Sequence, residues 1–246
     1  MKRLIKYLIA SVFLLGAILV GVVCNPKPLV YRLAYHSPDV LYFVKTEEKI
    51  IALTIDDGPH PIVTPKILDV LSEYQVPATF FLIGGRVQHN EDILRRIASN
   101  GHEIGNHHME DAPSIRLSEV EFEKQLLQAH RILSEFAQVK WFRPASGWFN
   151  ERMLRQVEKH NYKCALGSVY PYDAAIHNVT FLSNYILDNV FPGAIIILHD
   201  GTLERKATVE VLKQIIPILK MHGYRFVTLT ELTKSKSAYQ SDGSQL

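Results

Sequence analysis

Seven short apolar runs rich in β-forming residues recur along the chain, and the segments between them carry the 3.6-residue period of amphipathic helices. The runs are Ile50 to Ile55, Ala78 to Ile83, Glu103 to Asn106, Lys140 to Arg143, Lys163 to Leu166, Ala194 to Leu198 and Arg225 to Leu229. Strands alternating with helices pack as right-handed parallel units, which either close into a barrel or lie open as a doubly wound sheet. Thr64 before Pro65 reads as an N-cap with an N1 proline, Ser118 with Glu121 as a capping box, and Asn100-Gly101 as a helix end. Leu117 to Phe136 and Lys206 to Met221 are expected as the long helices, with Pro217 kinking the second or ending it early.

Polar residues of chemical interest stand just after these runs. Asp56 and Asp57 follow the first, on the abrupt turn that Gly58 and Pro59 impose; Asn106, His107 and Asp111 close the third, Arg143 the fourth and His199 the sixth, while Asp173 lies in the loop after the fifth. Contributions from so many strand ends converge in a barrel, at its carboxyl-terminal face, and would be scattered by an open sheet. The expected fold is therefore an α/β barrel. Asp-Gly and Gly-Pro are common turn dipeptides, and each motif alone reads as an ordinary turn or a surface ion pair. Their order along the chain carries the argument.

Adjacent carboxylates on a sharp turn point in different directions, so one can bind a metal while the other moves a proton. His107 and Asp111 stand four residues apart and, on a helical turn or compact loop, can face one ion with Asp57 as third ligand. Three protein ligands leave a position for water, whose pKa a divalent ion lowers toward neutrality. Oxygen donors with a histidine suit zinc, cobalt or nickel. Asp56 is then free to take the water's proton, His199 to protonate a leaving amine, and Arg143 to hold Asp56 by a charge-assisted bond.

The chain has 246 residues, 47% hydrophobic and 21% charged, enough for one large core. A net charge of +2 with acids and bases interspersed gives no basic stripe, so nucleic acid is not an expected partner. Lys2, Arg3 and Lys6 precede an apolar run from Tyr7 to Cys24, about 27 Å if helical. This is expected as an uncleaved signal anchor over residues 1–24 that leaves the rest of the chain outside the cytoplasm; a cleaved leader is the alternative. Residues 25–48 are expected as a stalk packing on a catalytic domain of residues 49–234, and residues 235–246 as a disordered tail. With Cys24 in or beside the membrane and Cys164 in a strand-like run, no internal disulfide is expected.

Five ordered motifs between residues 49 and 232 resemble those of the polysaccharide deacetylase family, metal-dependent carbohydrate esterases that include chitin and peptidoglycan N-acetylglucosamine deacetylases. The resemblance implies a distorted (β/α)7-type barrel as a single domain. Thr54-Ile55-Asp56-Asp57-Gly58-Pro59 matches the first motif, implying Asp56 as base and Asp57 as metal ligand. The second, His-Ser/Thr-x-x-His, reads His107-His108-Met109-Glu110-Asp111, with aspartate in place of the second ligand histidine. The third reads Arg143-Pro144-Ala145-Ser146-Gly147, implying an oxyanion donor in the backbone N–H of Ser146, with Trp148 standing in for the missing aromatic wall.

The fourth survives as Asp173-Ala174, implying Asp173 as the carboxylate that orients the catalytic histidine. The fifth is Ile197-Leu198-His199, implying Ile197 at the substrate and His199 as catalytic acid. The expected activity is removal of acetyl groups from an N-acetylglucosamine polymer around one divalent ion, zinc foremost. A glycan-binding barrel without turnover, an O-deacetylase and a small amide hydrolase are the alternatives. Trp148, Phe149, Tyr170 and Tyr172 lie in loops of the same face and offer rings on which sugars stack.

Overall fold

In a computed structural model of the chain, residues 25–242 are described, with side chains to residue 235. Each of the seven apolar runs is a strand, and one further short strand precedes them: β1 (Val40–Leu41), β2 (Ile50–Asp56), β3 (Thr79–Leu82), β4 (Glu103–Asn106), β5 (Trp141–Phe142), β6 (Lys163–Ala165), β7 (Ile195–His199) and β8 (Arg225–Val227). All the pairings between them are parallel, in the order β1-β6-β5-β4-β3-β2-β7, with β8 pairing the start of β2. β2 is buried along its whole length, as a strand covered on both faces must be.

Closure is irregular. Between β6 and β7 the stave is replaced by the loop after β6, where Ser168 N–H donates to Ile195 O at 3.0 Å and Ile197 N–H to Val169 O at 2.9 Å. The single α/β domain is thus a parallel barrel distorted at that seam, as expected. Ala52 pairs with both Ile195 and Val227, so β7 and β8 flank β2 on opposite sides and β8 shares β3's side.

The helices are α1 (Lys27–His36), α2 (Val63–Glu73), α3 (Glu91–Ser99), α4 (Glu119–Leu133), α5 (Glu151–Lys159), α6 (Val179–Asn189), α7 (Lys206–Met221) and α8 (Leu229–Asp242). Ser118 caps α4 through the Glu121 N–H, and Gly101 at φ 78° ends α3. Thr64 is not an N-cap: α2 begins one residue earlier, the Ile62 and Val63 N–H groups donate to His60 Nδ1, and the Thr64 hydroxyl is used elsewhere. Pro217 neither kinks α7 short nor ends it. The buried face Val211, Leu212, Ile215, Ile216 and Leu219 packs the helix beside α2 and α6, and that burial outweighs one lost hydrogen bond.

The two ends of the described chain depart from expectation. Residues 25–48 do pack on the domain, yet as part of it: α1 buries Val30, and β1 extends the sheet beside β6. The tail from residue 235 is helical to Asp242 rather than disordered. Thr228 and Glu231 exchange backbone–side-chain hydrogen bonds of 3.0 and 3.3 Å, a capping box that starts α8, and no glycine or proline follows before Gly243. The expected anchor of residues 1–24 lies outside the described residues. Among those described, no helix is long and apolar enough to cross a membrane. Cys164 is buried with a free thiol, and burial pushes its pKa up to about 12.

Candidate active site

Register decides which side chains meet. Asp56 pairs across the sheet with His199 on one side and Phe81 on the other, Leu82 pairs with Asn106, and Asn106 with Phe142. The carboxyl ends of β2, β7, β4 and β5 therefore stand at one height. Asp56, His107, Arg143 and His199 all belong to that rim.

Arg143 is 2% exposed and fully engaged. Its Nη1 donates to Asp56 Oδ1 at 2.6 Å and to Thr54 Oγ1 at 2.7 Å, Nε to Ala165 O at 3.1 Å and Nη2 to Leu166 O at 2.7 Å, while its guanidinium lies 4.1 Å from the Phe81 ring centroid. A planar fork with this many fixed acceptors holds one Asp56 carboxylate oxygen and leaves the other to accept a proton.

Asp57 sits at φ 74°, which turns its side chain away from that of Asp56. Its Oδ1 lies 3.3 Å from His107 Nε2. Burial raises the Asp57 pKa, but the hydrogen bond and charge of His107, with the charges of His199 and Arg86, bring it down to about 2. His107 Nδ1 donates to Arg143 O at 2.8 Å, so Nε2 is the nitrogen turned toward the carboxylate. Asp57 and His107 thus present one oxygen and one nitrogen donor in a buried setting, chemistry that suits a divalent ion once the Nε2 proton is displaced.

Asp111 does not join them. His108, at φ 70°, swings the following loop outward, and the Asp111 side chain, half-exposed, pairs with Arg86 Nη2 at 2.9 Å. Among the described residues no three or more His, Cys, Asp or Glu side chains are gathered around one point, so any ion here would draw on Asp57 and His107 and fill its remaining positions with water. Of the three residues expected around an ion, Asp57 and His107 face one another, while Asp111 is held by Arg86.

His199 is gripped by Asp173: Nδ1 donates to Oδ1 at 2.9 Å and the backbone N–H to Oδ2 at 2.8 Å. Burial lowers the histidine's pKa, yet the bond and charge of Asp173 and the charges of Asp56 and Asp57 outweigh it and raise it to about 9. The imidazole is protonated at neutral pH, with Nε2–H left to give. Arg205 donates to Asp173 O at 2.8 Å and to Ala174 O, which ties down a loop that has lost most of its motif. The neighbour Asp200 is not the partner of His199. It is fully buried, accepts from the Thr64 hydroxyl, has an unpartnered Oδ1, and is pushed up to about 7, chiefly by burial.

Ser146 is exposed at φ 65° in the turn after Arg143, and Trp148 beyond it is 67% exposed. Ile197 is half-buried against Gly167, where an added Cβ would come within 2.6 Å of it. Tyr170 stacks edge-on to His199 at 5.8 Å and to Tyr172 at 5.0 Å. Sequence reasoning missed Arg86, Arg205, Thr64 and Asp200. The first was detectable, because Gly84-Gly85-Arg86 follows β3 as the other motifs follow their strands.

Residues 43–165 match the polysaccharide deacetylase family. A peptidoglycan-N-acetylglucosamine deacetylase of Bacillus cereus is 38% identical over 200 residues, covering 80% of this chain and 94% of the relative. Among solved structures, a peptidoglycan N-acetylglucosamine deacetylase in complex with a substituted benzamide superposes with a TM-score of 0.77 at 33% identity, covering 81% of this chain and 95% of that one. A CE4 family pseudoenzyme from Bacillus anthracis superposes at 0.73 with 29% identity, covering 78% and 68%. With this likeness over most of its length, and with the motif residues meeting on one barrel rim, the chain belongs to the polysaccharide deacetylase family.

Proposed function

We propose that the protein is a metal-dependent hydrolase that removes acetyl groups from N-acetylglucosamine-containing polysaccharide of the chitin or peptidoglycan type. The observation that carries this reading is the pairing of two opposed proton-transfer groups on one rim, Asp56 held by Arg143 and His199 held by Asp173. Asp57 and His107 would hold a zinc, cobalt or nickel ion, which when bound polarises the acetamide carbonyl and acidifies water. Asp56, with one oxygen fixed, takes the proton of the attacking water. His199, charged and oriented through Nδ1, gives its Nε2 proton to the departing amine. The Ser146 backbone N–H faces the developing oxyanion, while Trp148 and Ile197 contact the sugar and the acetyl group.

The full chain in detergent, loaded separately with zinc and cobalt, is expected to release acetate from chitin oligomers or peptidoglycan. Release should stop with chelator and with His199→Ala. Release from acetylated xylan alone would move the assignment to an O-deacetylase. A second reading, a barrel that binds glycan without cutting it, is favoured by the Arg86–Asp111 pair; glycan binding by metal-loaded protein with no acetate release from any of the three polymers would establish it.

The apolar run of residues 7–24 with its basic flank supports a membrane anchor with the domain outside the cytoplasm. Near the start of α1, Lys27 Nζ lies 4.8 Å from the Phe191 ring centroid, before β7, whereas His199 ends β7. A chain arriving from lipid then meets the barrel at the end opposite the site, so the rim faces outward to the polymer. Protease accessibility of the domain in intact spheroplasts tests this.

A further inference from the structure

Arg86 belongs to none of the family motifs, yet it touches three of the loops that build the site. Its Nη1 donates to Asp57 O and, at 3.2 Å, to Gly201 O, and its Nη2 bonds Asp111 Oδ2 at 2.9 Å. The slot it fills exists because residue 201 is glycine: a Cβ there would stand 2.4 Å from Nη1 and 2.4 Å from Asp57 Cβ. The Asp111 loop is pinned to the same turn, since Gly84 N–H donates to His108 O at 2.8 Å and Gly85 N–H to Met109 O at 3.0 Å. A Cβ on Gly85 would approach Met109 O to 2.5 Å, so this docking too depends on a missing side chain. The pair is therefore built in from both sides. It differs from an exposed salt bridge between two long side chains, which holds little in place.

We propose that Arg86 is a positioning residue that keeps Asp111 off the metal, so that the ion is held by Asp57 and His107 alone and Arg86 sets how tightly. The inference rests on the metal-dependent reading above. It follows from charge as well as distance. A neutral side chain at position 111 would offer an arginine no opposite charge, whereas a carboxylate is claimed by the nearest fixed cation, and that cation is already anchored by two carbonyls. A divalent ion competing for Asp111 must break the bond and also sit near an unpaired guanidinium.

The test is titration of the metal-free full chain with cobalt(II) chloride, and separately zinc chloride, followed by calorimetry and by the visible absorption of bound cobalt. Arg86→Gln is expected to tighten binding by roughly 10- to 100-fold, the range through which outer-shell partners move metal affinity, and to change the cobalt spectrum as a third protein donor enters. Asp111→Asn in the wild-type background is expected to stay within about twofold, and the double variant should lose most of the gain. Thermal melts of each variant report folding, and exposed Asp111→Asn gives an arm that does not depend on Arg86 variants being stable. A tenfold loss from Asp111→Asn alone overturns the inference, because Asp111 would then already be a ligand. A double variant that keeps the gain overturns it too, since only the guanidinium charge would then matter. Equal binding by all four proteins refutes the role of Arg86 alone, while binding by none of them refutes the metal-dependent reading itself.

Discussion

Replacing Arg143 by methionine removes the charge while keeping an unbranched side chain over Phe81. The structure states what is left behind: the Asp56 carboxylate, 5% exposed, the Thr54 hydroxyl, and the Ala165 and Leu166 carbonyls, each of which loses its guanidinium donor. Thr54 still donates to Ile196 O at 2.8 Å, so its loss is partial. Breaking a buried ion pair by removing one member costs about 3–5 kcal/mol, because the remaining charge is stranded in a medium that solvates it poorly. Against a total stability of about 5–15 kcal/mol this is a large fraction.

For a domain of this size each kcal/mol moves the melting temperature by about 2–4 °C, so Arg143→Met should melt roughly 6–20 °C below wild type. The assay is thermal unfolding followed by far-ultraviolet circular dichroism, repeated for Asp56→Ala and for the double variant. With both partners gone no charge is stranded, and the double variant should be more stable than the sum of the single losses by about 0.5–3 kcal/mol. A single-variant loss below about 1 kcal/mol, or a coupling near zero, would refute the claim that this pair is buried and mutually dependent.

Asp56→Asn is expected to abolish acetate release while cobalt binding, read by calorimetry, stays close to wild type; turnover at the wild-type rate removes Asp56 from the role of base. Asp173→Asn should lower the His199 pKa from about 9, since burial is then opposed only by the charges of Asp56 and Asp57; the imidazole proton shifts in nuclear magnetic resonance give the value directly, and a pKa that stays at the wild-type value refutes the role of Asp173. The sign for stability follows: with its folded pKa above the unfolded one, His199 stabilises fully below about pH 6.5, and this is lost as pH rises through 9. His102, on the far side of the barrel from the site, behaves oppositely. Burial pushes it down to about 4, its Nδ1 accepts from Ala78 N–H and its Nε2 has no partner, so the unfolded chain binds protons there that the native protein does not. Between pH 7 and pH 5 that difference removes about 2 kcal/mol, and His102→Asn should flatten the urea midpoint over this interval.

The strands were legible because a barrel strand buried on both faces must be a short apolar run, and nothing else in the chain imitates seven of them in alternation with helices. The rim residues were legible for a related reason: a polar side chain directly after such a run has only the carboxyl end of the barrel to occupy. Pairings that join residues far apart were beyond spacing alone. His107 and Asp111 stand four positions apart, compatible with one shared ion, but a positive φ at His108 and two glycines in another loop send the second carboxylate to Arg86. His199 could equally have paired with its neighbour Asp200; the fold instead buries Asp200 against Thr64 and brings in Asp173 from 26 positions earlier. The capping box that makes the tail helical was local and readable, and was overlooked because the composition beyond it is polar. Composition and periodicity therefore determine which elements form and which residues reach the rim. Which rim residue bonds which is decided only when loops from different strands close over one another, because hydrogen bonds and ion pairs depend on ångström-scale distances that no sequence interval encodes.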